Sequence, residues 1–246
     1  MKVALLAAGL GSRLGSLTTA LPKALIPVGG ETLLAHALRF AARLQPEEIV
    51  VVGGFGYPLV AAELARLRPA PGPTAGPRIT LVENQRFRDG NLLSLQAARP
   101  RLDDDFVLLN VDHIFRPAIA AIVAAPADDV TAFVDTDRTL GGDDMKVQRD
   151  SRGRVAAIAK TLTTFDVGYV GVTRVPRAAL ARYFAEADAA SAAEGPSIHV
   201  ERILARLATT AAPPLCRDIS GHGWLEIDNQ DERARAEEAL REDGWR

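Results

Sequence analysis

The segment Leu5–Leu14, followed closely by Lys23, contains the residues best suited to phosphate chemistry. Small residues between Ala7 and Ser12 expose backbone N–H groups, and the cations Arg13 and Lys23 lie nearby in the sequence. Backbone N–H groups and fixed positive charge both favour a bound anion. We therefore predict that this segment binds phosphate groups. A tight glycine turn between a strand and a helix, with two solvated cations, is the alternative interpretation.

The glycine spacing differs from that of two common phosphate-binding loops. The dinucleotide fingerprint needs a third glycine where Leu14 stands, and Gly15 comes one residue too late. The Walker loop needs a Gly-Lys pair followed by Ser or Thr, and no lysine follows Gly15. No acidic residue ends the apolar strand predicted over Glu48–Val52, where an NAD-binding domain places its ribose contact. The pattern therefore disfavours both an NAD-binding domain and a Walker-type domain.

Two aspartates follow predicted strands and have the chemistry of metal ligands. Asp112 comes two residues after Phe106–Asn110, and Asp228 ends Trp224–Ile227. Mg²⁺ prefers oxygen ligands and is usually held by one or two carboxylates together with phosphate oxygens. We therefore predict Asp112 and Asp228 as the ligands of a Mg²⁺ ion.

Each aspartate also has a purely structural interpretation. Asp112 would then begin the turn into Phe115–Val123. Asp228 would cap the last helix, although Asn229 and Glu232 already have the spacing of a capping box there.

The elements that would position these residues alternate between strands and helices in the first part of the chain. Continuous apolar strands in such an alternation are typical of a parallel sheet that helices cover on both faces. Ligands of these sheets lie beyond the carboxyl ends of the strands, where Gly9–Arg13 and Asp112 both fall. The predicted strands are Val3–Ala7, Glu48–Val52, Ile79–Val82 and Phe106–Asn110; the predicted helices are Thr32–Arg43, Leu59–Leu67 and Leu92–Ala98, with a surface loop at Arg68–Pro77.

After about residue 130 the pattern changes to strands joined by polar turns. The predicted strands are Val130–Val134, Met145–Arg149, Arg154–Ala157, Val167–Val172, Leu215–Ile219 and Trp224–Ile227; the predicted helices are Arg177–Ala187, Ile198–Leu207 and an amphipathic helix at Gln230–Arg241. We predict one α/β domain over residues 1–246, with a nucleotide-binding half at about 1–128 and an acceptor-binding half at 129–246.

The composition is that of an ordinary globular protein, with 48% apolar and 24% charged residues. A net charge of -2 gives no electrostatic reason to expect nucleic acid or an anionic membrane as a partner. Cys216 is the single cysteine, which excludes an intrachain disulfide, and the four histidines lack metal-ligand spacing. We expect no signal peptide before the first strand, no membrane-spanning segment and a cytoplasmic location. The oligomeric state is left open, a homo-oligomer included.

The opening segment resembles the signature of nucleotidyltransferases that couple an NTP to a phosphorylated small molecule. In that family a small residue, Gly-x-Gly-x-Arg-Leu and a later Pro-Lys open the domain, as Ala8–Leu14 and Pro22-Lys23 do here. The resemblance implies a Rossmann-like three-layer α/β/α fold with a mixed, mainly parallel sheet, as in nucleotide-diphospho-sugar transferases.

Later segments are similar to those of cytidylyltransferases. Asn110–Phe115, Asp144–Val147, Ile158–Lys160 and Asp166–Gly168 follow the order found in inositol-1-phosphate cytidylyltransferases. Glu83-Asn84, Gly90-Asn91 and Ser94-Leu95 are similar to a segment that lines the base and acceptor side in phosphocholine and phosphonate cytidylyltransferases.

The resemblance implies roles for the matching residues. Arg13 and Lys23 would hold the β- and γ-phosphates and stabilise the leaving pyrophosphate, and Lys160 would meet the acceptor phosphate or the α-phosphate. Asp112 and Asp228 would hold Mg²⁺. The nucleotide-binding set comprises Leu6, Ala7, Ala8, Gly9, Gly11, Ser12, Arg13, Lys23, Gly53, Glu83, Asn91, Ser94 and Asp112, and the acceptor-binding set comprises Lys146, Lys160 and Gly168.

Several of these residues have structural alternatives. Lys160 could be a solvated surface lysine, and Asn91 could cap the helix Leu92–Ala98. For His113 and His222 we favour a structural role over a catalytic one.

Together these features favour transfer of a nucleotidyl group, with CMP from CTP preferred, to a small phosphorylated alcohol, cyclitol or phosphonate. Pyrophosphate would be released. An acceptor phosphate is already an anion at neutral pH, so direct attack on the α-phosphorus needs neither a general base nor a covalent intermediate. A sugar-1-phosphate uridylyl-, thymidylyl- or guanylyltransferase is the second hypothesis. A non-catalytic nucleotide-binding regulatory protein is the third, and the sequence does not identify the acceptor.

Overall fold

A large mixed sheet forms the centre of the computed structural model, which describes residues 1–18, 21–67, 76–195 and 197–245. The strands are β1 (Lys2–Ala7), β2 (Pro27–Val28), β3 (Glu31–Thr32), β4 (Glu48–Gly53), β5 (Arg78–Glu83), β6 (Phe106–Asn110), β7 (His113–Phe115), β8 (Thr131–Asp135), β9 (Lys146–Arg149), β10 (Val155–Ala159), β11 (Val167–Val175), β12 (Leu215–Asp218) and β13 (Trp224–Glu226). The helices are α1 (Leu33–Arg43), α2 (Tyr57–Leu67), α3 (Leu92–Ala98), α4 (Ile119–Ala124), α5 (Leu180–Glu194), α6 (Glu201–Leu207) and α7 (Gln230–Ala239).

The centre of this sheet is parallel. β1 pairs with β4 on one side and with β6 on the other, and β5 extends the parallel arrangement beyond β4. In this register Leu6 lies opposite both Val52 and Asn110. The carboxyl ends of the three inner strands therefore meet at one edge of the sheet, as the sequence predicts.

Strand β11 joins the two predicted halves of the chain into the same sheet. It pairs antiparallel with β6, where Val172 lies opposite Leu109, and also with β8 and β9. All nine of its residues are buried. The predicted mixed, mainly parallel sheet is confirmed.

Helices cover both faces of the sheet because the strand residues alternate between two apolar cores. Val3 and Leu5 of β1 face the core that contains α1 and α4, whereas Ala4 and Leu6 face the core that contains α3, α5 and α6. Leu5 is fully buried. Burial of such a side chain stabilises the fold by about 1.5–3 kcal/mol. The three-layer arrangement follows from this alternation.

A short second sheet forms next to the edge where the inner strands end. β7 pairs antiparallel with β13, with Trp224 opposite Phe115 and Glu226 opposite His113. The backbone N–H of Ile227 donates to the carbonyl of Asp112 over 3.0 Å. No local sequence pattern predicts this pairing. Asp112 lies in the turn between β6 and β7, and the next helix, α4, begins at Ile119.

Other element boundaries differ from the predictions near the chain's later helices. A 3₁₀ turn at Arg177–Ala179 precedes α5, which runs on to Glu194, and α6 begins at Glu201 rather than at Ile198. The predicted helix Gln230–Arg241 ends at Ala239, and it contacts the core through buried Ala236 with Ala239 and Leu240 partly buried beside it.

The predicted loop at Arg68–Pro77 lies outside the described residues except for its last two positions. Within the described residues no helix is long and apolar enough to span a membrane.

Candidate active site

A cavity of about 370 Å³ opens at the carboxyl edge of the parallel strands. That size is typical of small-molecule sites. It is lined by eleven of the predicted site residues: Ala8, Gly9, Gly11, Ser12, Arg13, Lys23, Asn91, Ser94, Asp112, Lys160 and Asp228. The fold therefore brings residues from both halves of the chain to one cavity.

The glycine-containing loop lies directly after β1. Gly11 has φ +68, a left-handed conformation that favours glycine, and its carbonyl accepts from the N–H of Leu14 to close a turn. The loop after β4 lies so close to this glycine loop that a Cβ added to Gly54 would be 2.9 Å from the Ala8 Cβ. The Phe55 N–H donates to the Ala8 carbonyl over 3.3 Å. These contacts hold the loop against the cavity.

Lys23 lies between the two predicted metal ligands. Its Nζ donates to Asp112 Oδ2 and to Asp228 Oδ1, each over 2.5 Å. Arg13 also donates to Asp228, over 2.6 Å to Oδ2, and approaches Asp143 at 3.5 Å. The pairing of β7 with β13 places the two aspartates side by side. Two carboxylates and two cations thus form one compact charge cluster.

The charges in this cluster stabilise one another. Burial alone would raise the pKa of the Asp112 carboxyl, but the charges of Lys23 and His113 hold that pKa well below its ordinary value. Burial alone would lower the pKa of Lys23, and the opposing charges of Asp112 and Asp228 raise it instead. Both groups are therefore charged at neutral pH.

His113 is packed behind Asp112. Its Nδ1 lies 2.7 Å from Asp112 Oδ1, and its Nε2 lies 3.9 Å from Glu226 Oε1. The ring stacks on Trp224 with centroids 5.3 Å apart. Gly171, at φ +73, leaves room for it, because a Cβ there would lie 2.7 Å from the imidazole. Burial would lower the pKa of His113, but the neighbouring Asp112 raises it.

Asp112 and Asp228 fit the requirements of a Mg²⁺ site. Both carboxylates point to the same amine at the edge of the cavity. Magnesium is commonly held by one or two carboxylates, with phosphate oxygens and water completing the shell. No cluster of three or more His, Cys, Asp or Glu suited to a metal occurs in the described part of the chain, so such a site would depend on a bound triphosphate.

A different set of residues lines the side of the cavity contributed by the later part of the chain. Lys160 follows β10 and Tyr169 lies in β11. Glu201 begins α6, and His199 lies two residues before it. Asn91 fixes this segment, since its Oδ1 accepts from the N–H of Val200 over 2.8 Å. The alternative role of Asn91 as the cap of α3 is wrong, because the Asn91 side chain makes no capping hydrogen bond to that helix.

Six predicted site residues do not line the cavity: Leu6, Ala7, Gly53, Glu83, Lys146 and Gly168. The first three are buried at the ends of β1 and β4. The amine of Lys146 donates to the carbonyls of Gly141 and Lys160, over 2.6 and 2.8 Å. His222 is likewise absent from the cavity lining.

Twelve lining residues were missing from the predicted site: Phe87, Asp89, Asn110, His113, Asp143, Asp144, Met145, Tyr169, Gly171, His199, Glu201 and Glu226. Two of these residues could have been predicted from their sequence positions, since Asn110 ends a predicted strand and His113 follows Asp112. Tyr169 and Glu201 lie within apolar segments that predict only a strand and a helix. No local spacing distinguishes them.

Residues 3–209 match the family of MobA-like NTP transferase domains. A CMP-5'-(3-aminopropyl)phosphonate synthase from Streptomyces rubellomurinus is 38% identical over 152 residues, which cover 61% of this chain and 23% of that relative. A bifunctional IPC transferase and DIPP synthase from Rubrobacter xylanophilus is 29% identical over 98% of this chain and 52% of its own length. The chain thus spans about half or less of these curated relatives.

The fold is also that of a solved enzyme. The inositol-1-phosphate CTP transferase from T. maritima superposes with a TM-score of 0.80, at 19% identity, over 98% of this chain and 96% of that one. With the family match over most of its length, the chain belongs to the MobA-like NTP transferase domain family.

Proposed function

We propose that the protein transfers a nucleotidyl group, CMP from CTP, to a small phosphorylated or phosphonate acceptor with release of pyrophosphate. The observation that carries the proposal is the charge cluster of Lys23, Asp112 and Asp228 beside the glycine loop. It combines what a triphosphate requires, namely backbone N–H groups, fixed cations and carboxylates for a divalent ion.

The chain's own residues would act mainly by holding mutually repelling anions together. Asp112 and Asp228 would bind Mg²⁺, which supplies neutralisation of the triphosphate and polarisation of the reacting phosphoryl group. Arg13 and Lys23 would stabilise the negative charge that develops on the leaving pyrophosphate. Lys160 would attract the acceptor's anionic group toward the α-phosphorus. No residue is assigned as a general base, because the acceptor oxygen is already ionised.

The preference for CTP is supported by the relatives. The Streptomyces relative is named for a CMP-linked phosphonate, and the T. maritima structure is a CTP transferase. Their acceptors differ, so we keep the acceptor class broad here: a phosphorylated alcohol, a cyclitol phosphate or a phosphonate.

A crossed screen tests this proposal. Purified protein with Mg²⁺ would receive each of CTP, UTP, GTP and ATP together with each acceptor of a small panel, and pyrophosphate release would be followed. We expect release with CTP to exceed release with every other nucleotide. Faster release with UTP or GTP and a sugar 1-phosphate would contradict the CTP assignment and favour a sugar nucleotidyltransferase. Tight NTP binding without release for any acceptor would contradict the enzymatic function.

A further inference from the structure

Two charged side chains in the cavity lack the partners that the other charged groups have. In the described part of the chain Glu201 forms no ion pair, and the ammonium of Lys160 has neither a hydrogen bond nor an ion pair. The other six aspartates and glutamates that line the cavity each lie within 3.5 Å of an arginine or lysine nitrogen. The cavity therefore contains one carboxyl group and one ammonium group without an ion-pair partner, the first partly buried and the second exposed.

These two groups interact electrostatically without touching. His199 and then Lys160 favour the ionised form of the Glu201 carboxyl, whereas Asp112 opposes it, and neither His199 nor Lys160 forms an ion pair with Glu201. Burial raises the pKa of Glu201, and this effect outweighs the hydrogen bond from its own backbone N–H at the start of α6. Glu201 is partly buried, and a carboxylate that has lost part of its hydration without a cation nearby gains stability when a ligand supplies one.

The surroundings of Glu201 indicate the kind of cation. A protonated primary amine donates three hydrogen bonds and suits a carboxylate, whereas a quaternary ammonium donates none and is recognised by several aromatic faces. Tyr169 is close enough for its pKa to respond to Glu201, and its hydroxyl is bonded to Thr173 over 2.7 Å. Phe87, the other phenyl ring that lines the cavity, packs against Gly54 and Phe55 next to the glycine loop. Two rings do not form a cage of several aromatic faces, so a primary amine fits better.

We propose that the acceptor is a zwitterion, whose phosphate or phosphonate group meets Lys160 and whose protonated primary amine binds Glu201. The inference rests on the proposed function and gives its acceptor a chemical class. Glu201 would act as a specificity residue. It would bind the end of the acceptor that does not react, while Lys160 would meet the oxygen that attacks the α-phosphorus. In that step the acceptor oxygen forms the new P–O bond and pyrophosphate leaves with the electron pair of the broken one.

A matched pair of acceptors tests the amine directly. With CTP and Mg²⁺, we expect kcat/KM for 3-aminopropylphosphonate to exceed that for propylphosphonate by about tenfold or more, as for other charge-assisted contacts. In the Glu201→Gln variant we expect this preference to disappear, through a higher KM for the amine and an unchanged KM for CTP. Lys160→Met should impair both acceptors alike.

Glu47→Gln provides the control, because Glu47 is an exposed carboxylate paired with Arg78 over 2.9 Å. It removes the same charge outside the cavity and should keep the wild-type preference.

Three results would overturn the inference: equal turnover of the two acceptors by the wild-type protein, an unchanged preference in Glu201→Gln, or better turnover of phosphocholine or inositol 1-phosphate. Calorimetric binding of 3-aminopropylphosphonate separates this inference from the reaction itself. Amine-dependent binding that Glu201→Gln abolishes would support the acceptor class even if no nucleotide were turned over.

Discussion

Two charge clusters lie at opposite ends of the same parallel strands. At the amino ends, Glu48 accepts from Thr80 over 2.6 Å and lies 3.6 Å from the Lys2 amine, which also pairs with Asp103 at 2.5 Å. Arg101 reaches the same glutamate at 3.2 Å. At the carboxyl ends, Lys23 is shared by Asp112 and Asp228. Both clusters surround a nearly buried lysine.

The clusters differ in what lies next to them. The cluster around Lys2 and Glu48 connects β1, β4 and the residues before β6, and none of its members lines the cavity at the carboxyl edge. The cluster around Lys23 borders that cavity, and the unpaired Lys160 and Glu201 line the same space. Similar charges therefore serve stability where they connect strands away from the cavity, and they are available to a ligand where they border it.

The largest effect should come from removing a carboxylate of the Lys23 cluster. We expect Asp112→Asn and Asp228→Asn each to lower the rate of pyrophosphate release by about 100-fold or more, because both metal binding and charge compensation are lost. The assay is pyrophosphate release as a function of Mg²⁺ concentration. Circular dichroism would check that the variants fold.

Asp103→Asn is the matched control for this pair, since it makes the same atomic change in the other cluster. It should leave the rate unchanged. Wild-type turnover in Asp112→Asn or Asp228→Asn would contradict the proposal that these aspartates bind Mg²⁺. An equal loss of rate in Asp103→Asn would mean that the two clusters do not differ in their importance for the reaction.

A smaller effect should follow from disturbing the acceptor side alone. A Cβ at Gly90 would lie 1.8 Å from the carbonyl oxygen of Ile198, so this backbone contact leaves no room for a side chain. We expect Gly90→Ala to displace the segment that carries His199 and Glu201, and to raise the KM of the acceptor by about tenfold with little change for CTP.

Gly76→Ala is the control for Gly90→Ala, because nothing lies within 4 Å of a Cβ built at Gly76. It should behave like the wild-type protein. If Gly90→Ala instead raised the KM of CTP and the acceptor equally, the two sides of the cavity would not be separable.

The sequence predicted the parts of the fold and site that are encoded locally. The strand β1, the glycine loop after it and Asp112 after β6 were all predicted, because an apolar run and the residues that follow it are neighbours in the chain. The strands and helices of the first half were correct to within a few residues.

Long-range contacts were beyond such reasoning. The pairing of β7 with β13 and the approach of Gly90 to Ile198 each join residues more than 100 positions apart, and neither has a local signature. The family resemblance implied Lys146 as an acceptor-binding residue, whereas its amine donates to backbone carbonyls. Glu201 went unnoticed because a single glutamate at the start of an apolar helix is common.

The smallest effect on activity, and a distinct effect on stability, should come from the cluster at the amino ends of the strands. Burial alone would raise the pKa of Glu48, but the hydrogen bond from Thr80 and the charges of Lys2 and Arg101 lower it below its ordinary value of 4.5. A carboxyl with a lowered pKa in the folded state contributes stability above its unfolded pKa, and this contribution is lost as the pH falls through the folded value.

Glu48→Gln should therefore lower the free energy of unfolding at pH 7 by roughly 1–3 kcal/mol while pyrophosphate release stays unchanged. Asp103 continues to balance Lys2 in the variant, which keeps the loss within that range. Urea unfolding of both proteins between pH 7 and pH 3 would measure the difference, which should stay constant down to about pH 5. It should shrink below pH 4.5, as Glu48 takes up a proton first in the unfolded and then in the folded wild-type protein. A difference that does not depend on pH would mean that Glu48 stabilises the strands through packing and hydrogen bonding rather than through its charge.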